Sequence, residues 1–198
     1  LSACGILAVG GVAAGASVMA DRRTPGVQAI DNGIEMEANA ALSKRFGDNA
    51  HINVTSFNQK VLLTGEAKDA DIKGEAGAYV KAMKNARTVF NEIVIGPNST
   101  YTARANDSYL ESKIKTQMIF TDKLPSNSMS IVAEGTSIYL MGILTQNEAD
   151  LAKKVASNTN GVKDVYVYFD IISDTEKNRL EKQGKADESQ PNSPPKFQ

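Results

Sequence analysis

The chain has 198 residues, of which 41% are hydrophobic and 23% are charged. A chain of this size can bury one or two small cores but not the core of a large multidomain enzyme. It carries 22 basic and 23 acidic residues, and this balance argues against a dedicated nucleic-acid binder, which has a basic excess that neutralises phosphates. The single cysteine and single histidine exclude an intrachain disulfide and a cysteine-based zinc site, and they favour a binding or structural protein over an enzyme.

The first residues resemble the end of a bacterial lipoprotein signal peptide. The motif Leu-Ser-Ala-Cys at residues 1–4 is similar to the lipobox, in which a leucine lies three residues before the cysteine that becomes acylated. The resemblance implies that residues 1–3 are a signal-peptide remnant, that Cys4 carries lipid, and that residues 4–30 are a lipid-anchored Gly/Ala-rich linker. Gly5 stands where an aspartate retains such lipoproteins in the inner membrane, which implies export to the outer membrane.

A second interpretation of the same segment is the end of a transmembrane helix. Residues 1–20 are nearly all apolar or small, and a membrane span needs about 20 predominantly apolar residues. Several of them are glycine or serine, which are less apolar and disfavour a helix. The lipid-anchored linker is therefore the preferred prediction. Each buried methylene of an acyl chain contributes about 0.8 kcal/mol, so about two or three chains form a durable anchor.

Two copies of one sequence unit fill the middle of the chain. Residues 52–65 recur as residues 129–142 without a gap. Upstream of each segment, apolar residues recur every four positions, which is typical of one face of a helix: Ile34, Ala38 and Leu42 in the first copy, and Leu110, Ile114 and Met118 in the second. Each unit has only about 65 residues, which is near the lower size limit for one independent core. The copies are therefore expected to pack against each other or against a partner.

The first half of each copy predicts a helix and a hairpin. Asp31 and Asp107 lie where the N-caps of the helices are expected. Two alternating segments follow, and they are separated by Asn58-Gln59 in the first copy and by Glu134-Gly135 in the second, which indicates a β-hairpin.

The second half of each copy predicts another helix and a third strand. Residues 145–148 read Thr-Gln-Asn-Glu, a capping-box pattern at a helix start, and β-branched runs predict the third strands. The fold class is therefore α+β: two tandem αββαβ domains, each a three-stranded mixed sheet packed by two helices, with flexible amino- and carboxyl-terminal tails. The predicted domains are residues 31–96 and 107–172, with a linker at 97–106 and a mostly disordered tail at 173–198, of which 174–183 could form a solvated helix.

Three glycines are predicted to serve the fold. Gly65 and Gly142 recur where the second strand leads into the second helix, and a residue without Cβ permits a tight bend or a close approach of that helix. Gly161 follows the predicted second helix of the second copy. A bulky residue at position 65 or 142 is expected to damage the fold rather than a chemical step.

The unit resembles the BON domain, a family named for bacterial osmotic-stress and nodulation-related proteins. The resemblance rests on the αββαβ order, on the hydrophobic hairpin that ends in glycine, and on Gly-Val-Lys-Asp-Val at residues 161–165. Two copies behind a lipobox resemble the dual-BON outer-membrane lipoproteins, over roughly Cys4 to Ile172. The first copy departs from the pattern at Asn85-Ala86, where Asn-Gly is expected.

The resemblance implies a function in the bacterial envelope. It implies a periplasmic protein attached to the outer membrane that binds anionic phospholipid and supports envelope integrity and outer-membrane protein assembly, with the assembly machinery as a further partner. It implies neither catalytic activity nor a cofactor. In the family, the first helix of the second domain contacts the membrane, and that segment here is residues 107–120.

The residues of this segment suit a membrane interface, where rings lie at headgroup depth and ammonium groups meet phosphates. A second stripe runs beside the core stripe at helical spacing: Tyr109, Lys113, Thr116 and Phe120, flanked by Lys115 and Ile119. The matched positions of the first copy are Gly33, Glu37, Ala40 and Lys44. They lack both aromatics and carry an acid in place of the first lysine, so only the second domain is expected to bind anionic lipid. One alternative stays open, namely that the two aromatic rings pack against the other domain.

The principal alternative function is a non-enzymatic adaptor that recruits envelope proteins or peptidoglycan through exposed sheet edges or the tail. Nucleic acid is not an expected partner. Residues 74–77 match the GxxG motif of KH domains, which clamps the nucleic-acid backbone in a loop. Here the motif contains an acid and lies within a predicted helix that has one apolar face. No metal site is predicted, because His51 has no second histidine or cysteine to complete a zinc site.

Overall fold

The structure is a computed structural model, and it describes residues 21–188. Two αββαβ units follow one another, and a fifth long helix follows the second unit. The elements are α1 (Pro25–Phe46), β1 (Ala50–Phe57), β2 (Lys60–Ala67), α2 (Ala70–Lys81), β3 (Thr88–Asn91), β4 (Val94–Ile95), α3 (Tyr101–Ile119), β5 (Met129–Glu134), β6 (Ser137–Leu144), α4 (Gln146–Ser157), β7 (Asp164–Ile171) and α5 (Asp174–Glu188). The predicted signal remnant and the predicted lipid-attachment residue Cys4 lie outside the described residues, as does the segment for which a membrane span was the second interpretation.

Each unit contains one mixed sheet with its second strand in the centre. β1 and β2 are antiparallel, as are β5 and β6, and β7 pairs with β6 in parallel. In the first unit the strand that corresponds to β7 is divided into β3 and β4, which both pair with β2. The division falls at Glu92 and Ile93, and the Ile93 side chain is fully buried in the core of that unit. The predicted α+β class and the two αββαβ domains are confirmed, with a divided third strand in the first.

The first helix of each unit begins earlier than the sequence predicted. α1 begins at Pro25, and its N-cap is Thr24, whose Oγ1 accepts a hydrogen bond from the Val27 amide at 3.3 Å. α3 begins at Tyr101 behind the N-cap Thr100. The predicted N-caps at Asp31 and Asp107 are therefore wrong, because threonines upstream already satisfy the free amides of the first turns, and residues 101–106 are helical although they were predicted as linker.

The two aspartates instead hold the hairpin turns. Asp31 is buried, and its carboxylate accepts hydrogen bonds from the amides of Asn58 at 2.8 Å and Gln59 at 2.7 Å. Both turn residues have positive φ, +53° and +63°, which is the conformation of a two-residue hairpin turn with the twist of the flanking strands. Asp107 accepts a hydrogen bond from the backbone of Gly135 in the second hairpin turn. Each unit thus ties its first helix to its hairpin through one buried carboxylate.

Gly65 and Gly142 lie inside β2 and β6, each opposite the strand that precedes it in the chain. At Gly65, where φ is +101°, an added Cβ would lie 2.0 Å from the carbonyl oxygen of His51. At Gly142 an added Cβ would lie 2.9 Å from the carbonyl oxygen of Ser128. The group that excludes a side chain is backbone of β1 at Gly65 and backbone directly before β5 at Gly142. Of the two predicted reasons for these glycines, the close approach of the second helix is therefore wrong. Gly161 has φ +106° in the turn after α4.

The two domains pack sheet to sheet. Each domain has its own core between its helices and one face of its sheet, and a third apolar cluster fills the space between the other two faces. The rings of Phe90 and Tyr168 stack there with centroids 4.0 Å apart. This interdomain cluster consists of Phe57, Leu62, Tyr139, Met141 and Ile143, with Phe90, Val132, Tyr168, Ile172 and Leu180 packed against it.

Candidate functional site

Helix α3 presents one face to the core of the second domain and the opposite face to solvent. Leu110, Ile114 and Met118 are buried in that core. An α-helix has 3.6 residues per turn, so residues displaced by half a turn from this stripe point outward. Five of the exposed residues on that side are called the outward face of α3 below: Tyr101, Tyr109, Thr116, Ile119 and the C-cap residue Phe120.

The apolar residues of the outward face are uncovered. The exposed fraction is 66% for Tyr109, 81% for Phe120 and 46% for Ile119. The alternative that these two rings pack against the first domain is therefore wrong. Aromatic rings that are exposed to this extent can enter a membrane interface, because burial of their apolar surface is favourable.

Tyr101 belongs to the same face, although the sequence placed it in a linker. It is the first residue of α3 and is 86% exposed. It lies five full turns before Ile119 and therefore in line with it. The guanidinium of Arg104 lies 4.6 Å from the centroid of its ring. The signal that could have revealed it is Thr100, a favourable N-cap residue directly before it.

Lys113 and Lys115 flank the outward face on its two sides. The Lys113 ammonium donates a hydrogen bond to the carbonyl of Asn160 at 3.2 Å, and the Lys115 ammonium donates to the carbonyl of Ser126 at 2.9 Å. Burial lowers the pKa of Lys115, and the negative charge of Glu111 partly opposes this. An ammonium has three N–H donors, so both lysines can contact a phosphate without giving up these carbonyls.

The matched surface of the first domain differs. On α1 the corresponding positions are Gly33, Glu37, Ala40 and Lys44, without an aromatic residue. All four are exposed. The large apolar side chain on that surface is Met36, which is 75% exposed. The aromatic and basic character of the outward face is thus a property of the second domain.

A polar groove of about 550 Å³ lies on the inner side of α3, between β1 of the first domain and β5 of the second. Glu134 lies in its wall, and burial together with the negative charges of Glu66 and Asp107 raises the pKa of Glu134 to about 7. Arg104 and His51 also line the groove. No residue of the outward face lines this groove, which lies between the two domains.

Two further observations concern residues 21–188. None of the helices in this part of the chain combines the length and the apolar character that a membrane span needs. No three histidine, cysteine, aspartate or glutamate side chains of the same residues converge in a way that could hold a metal ion.

Comparison with known proteins gives a family. The family model of the BON domain matches residues 31–97 and 106–172. Outer membrane lipoprotein DolP of Haemophilus influenzae is 30% identical over 174 residues, which cover 87% of this chain and 90% of the relative. The 21 kDa hemolysin of Actinobacillus pleuropneumoniae is 29% identical over 154 residues, which cover 77% of this chain and 79% of the relative.

Among solved structures, CdsD, a structural protein of the type III secretion system of Chlamydia trachomatis, is 14% identical, with a TM-score of 0.30 over 76% of this chain and 68% of CdsD. This likeness is too weak to carry an argument. The two family matches cover both αββαβ units, and the relatives align along most of the chain. The chain therefore belongs to the BON-domain family and carries two BON domains in tandem.

Proposed function

We propose that the chain is a periplasmic lipoprotein of the outer membrane, anchored through Cys4, whose outward face of α3 binds anionic phospholipid. The outer-membrane lipoprotein DolP of Haemophilus influenzae, at 30% identity, supports the location, and the lipobox-like motif at residues 1–4 supports the anchor. The observation that carries the binding proposal is the exposure of Tyr109 and Phe120 between two lysines. We also propose, from the resemblance to dual-BON outer-membrane lipoproteins, that the chain supports envelope integrity and outer-membrane protein assembly.

The outward face is long enough to lie along a bilayer surface. From Tyr101 to Phe120 the helix advances by about 28 Å at 1.5 Å per residue. Exposed rings stand at both ends and in the middle of this length. A helix that exposes aromatic rings along one face, with lysines at the boundary of that face, can place those rings in the plane of the interface. The helix is therefore expected to bind along its length rather than by one end.

The magnitudes favour a site that works together with a tether. Burial of Tyr109 and Phe120 contributes about 1–2 kcal/mol each, and each lysine near an anionic surface contributes about 1 kcal/mol. The sum of about 4–6 kcal/mol corresponds to a Kd between about 1 mM and 0.1 mM. A lipid anchor that supplies about millimolar effective concentration makes this affinity sufficient.

Vesicle co-sedimentation tests the proposal. The full chain with Cys4→Ser is mixed with phosphatidylglycerol-containing vesicles or with phosphatidylcholine vesicles at low salt. We expect binding to the anionic vesicles, and a loss of about tenfold or more in affinity when Tyr109 and Phe120 are both changed to serine. Met36→Ser is the matched control, because it removes an exposed apolar side chain from α1. Unchanged binding by the double variant, or equal losses in both variants, would contradict the proposal.

A second candidate function is the adaptor for envelope proteins or peptidoglycan. One observation favours it: apolar residues are also exposed on β4 and on β7, which is an edge strand of its sheet. The exposed fractions are 52% for Val94, 59% for Ile95 and 52% for Ile171. Edge strands offer unpaired backbone groups to a partner strand. Saturable binding of purified peptidoglycan or of an assembly-machinery component that Ile95→Asp abolishes, without vesicle affinity, would favour the adaptor.

A further inference from the structure

Residues 21–23, called the strap below, precede the first BON domain, but Arg22 of the strap binds the second domain. Arg22 is 4% exposed. Its guanidinium donates to the carbonyl of Ile143 at 2.9 Å and to both carboxylate oxygens of Glu148, at 2.7 and 2.9 Å. Its amide donates to the hydroxyl of Ser128 at 3.3 Å. A fully desolvated, bidentate arginine of this kind has a fixed orientation.

The next residue of the strap binds the first domain. The Arg23 guanidinium donates to the buried carboxylate of Asp31 at 2.8 Å and lies 3.9 Å from the centroid of the Phe57 ring. Asp21 pairs with Arg23 at 2.7 Å. Adjacent arginines therefore hold different domains, and the strap crosses the boundary between them.

Glu148 connects the strap to the fold of the second domain. It is the N3 residue of the capping box of α4 and accepts a hydrogen bond from the Thr145 amide at 2.8 Å. Burial opposes its ionisation, but hydrogen bonds from Arg22 and Lys177 lower the pKa of Glu148 to about 2. A buried carboxylate of this kind depends on its cationic partners, because an unpaired buried charge is strongly unfavourable.

Helix α5 closes the same cluster from the other side. Lys177 pairs with Glu148 at 2.8 Å, Glu181 pairs with Arg22 at 2.8 Å, and Leu180 packs on the interdomain cluster. Both the strap and α5 lie outside the residues that the BON family model matches. The ion cluster thus joins the strap, the second domain and α5. The pair between Arg23 and Asp31 adds the first domain.

We propose that the strap is an interdomain joint, with Arg22 as its central residue and α5 as its cover. The joint acts together with the interdomain cluster and holds the two BON domains in one relative orientation, so residues 21–188 form one rigid unit. The inference goes beyond the lipid proposal and does not depend on it, since no residue of the outward face takes part.

Spin-label distance measurement tests the joint. The full chain with Cys4→Ser carries labels at Met36→Cys on α1 and Lys153→Cys on α4, both at exposed positions. We expect one narrow distance distribution for the otherwise native chain, and loss of the narrow peak on Arg22→Met. The matched control is Arg45→Met, which removes an exposed ion pair with Glu75 inside the first domain. The control is expected to keep the narrow peak.

Two further measurements keep the test decisive if Arg22→Met fails to fold. The double variant Arg22→Met with Glu148→Gln removes both buried charges, and circular dichroism establishes that it is folded. Hydrogen–deuterium exchange on the unsubstituted chain needs no variant, and we expect the Arg22 amide to exchange as slowly as the amides of β6. A narrow distance peak in a folded Arg22 variant, or rapid exchange of the Arg22 amide, overturns the proposal.

Discussion

Glu134 provides the sharpest test of the domain interface. Its carboxyl lies at the end of β5 in the groove between the domains, and Glu66 of the first domain and Asp107 of α3 carry the nearest negative charges. Burial, followed by these two charges, raises its pKa to about 7. The positive charge of Arg104 lies in the same groove, and burial followed by Arg104 lowers the pKa of His51. The folded protein therefore favours a protonated Glu134.

The sign and size of the effect follow from proton linkage. The folded state binds the Glu134 proton more tightly than the unfolded state, so this contribution to stability is fully present below about pH 4.5 and is lost as the pH rises to about 7. The difference between 4.5 and about 7 corresponds to about 3 kcal/mol. Solvent screening in the open groove reduces the expected loss to about 2 kcal/mol.

Glu134→Gln removes the titration but keeps the shape of the side chain. In urea unfolding at pH 8, we expect the variant to be more stable than the native chain by about 2 kcal/mol, and at pH 4.5 the two should agree within about 0.5 kcal/mol. Glu75→Gln, at an exposed position outside the groove, is the matched control for the substitution itself. A stability difference between Glu134→Gln and the native chain that stays constant from pH 4.5 to 8 would refute the reasoning.

Three other predictions follow from the geometry. In a urea titration, Gly65→Ala should lower the free energy of unfolding by about 3 kcal/mol or more, because φ is +101° and the new Cβ would lie 2.0 Å from the carbonyl oxygen of His51. Gly33→Ala is the control, and it should not destabilise α1 because its new Cβ would lie in open space. Asp31→Ala leaves two amides of the first hairpin turn without their acceptor, so the midpoint of thermal unfolding should fall with a loss of about 2–3 kcal/mol; an unchanged midpoint would contradict this role. Tyr101→Ser should weaken binding to anionic vesicles by about threefold to tenfold without a change in stability, and equal affinity would show that the lipid-binding face begins after the first turn of α3.

Much of each domain could be predicted from local patterns. The recurrence of residues 52–65 as 129–142 identified two copies, and the apolar period of four identified the buried stripes of α1 and α3. The capping box at Thr145 and Glu148 is present as predicted. These features are readable because helices and strands repeat every 3.6 and 2 residues along the chain itself.

Other features depend on groups that are far apart in sequence. Asp31 is of a residue type that is common at N-caps, but its carboxylate binds turn amides that lie 27 and 28 residues away in sequence. Periodicity shows which side of α3 carries Tyr109 and Phe120, but only the packing of the domains shows that nothing in the described part of the chain covers them.

The sequence by itself determined the two αββαβ units, their cores and the position of the aromatic and basic helix face. The reason is that the buried side of a helix or strand follows from the spacing of apolar residues only a few positions apart. The tertiary structure decided how the two sheets meet, that Glu134 lies among other carboxylates, and that Arg22 reaches Glu148 at 2.7 Å across 126 positions of sequence. Such contacts have no spacing rule. They arise only in the folded chain, because the partners lie on different elements that are far apart in sequence.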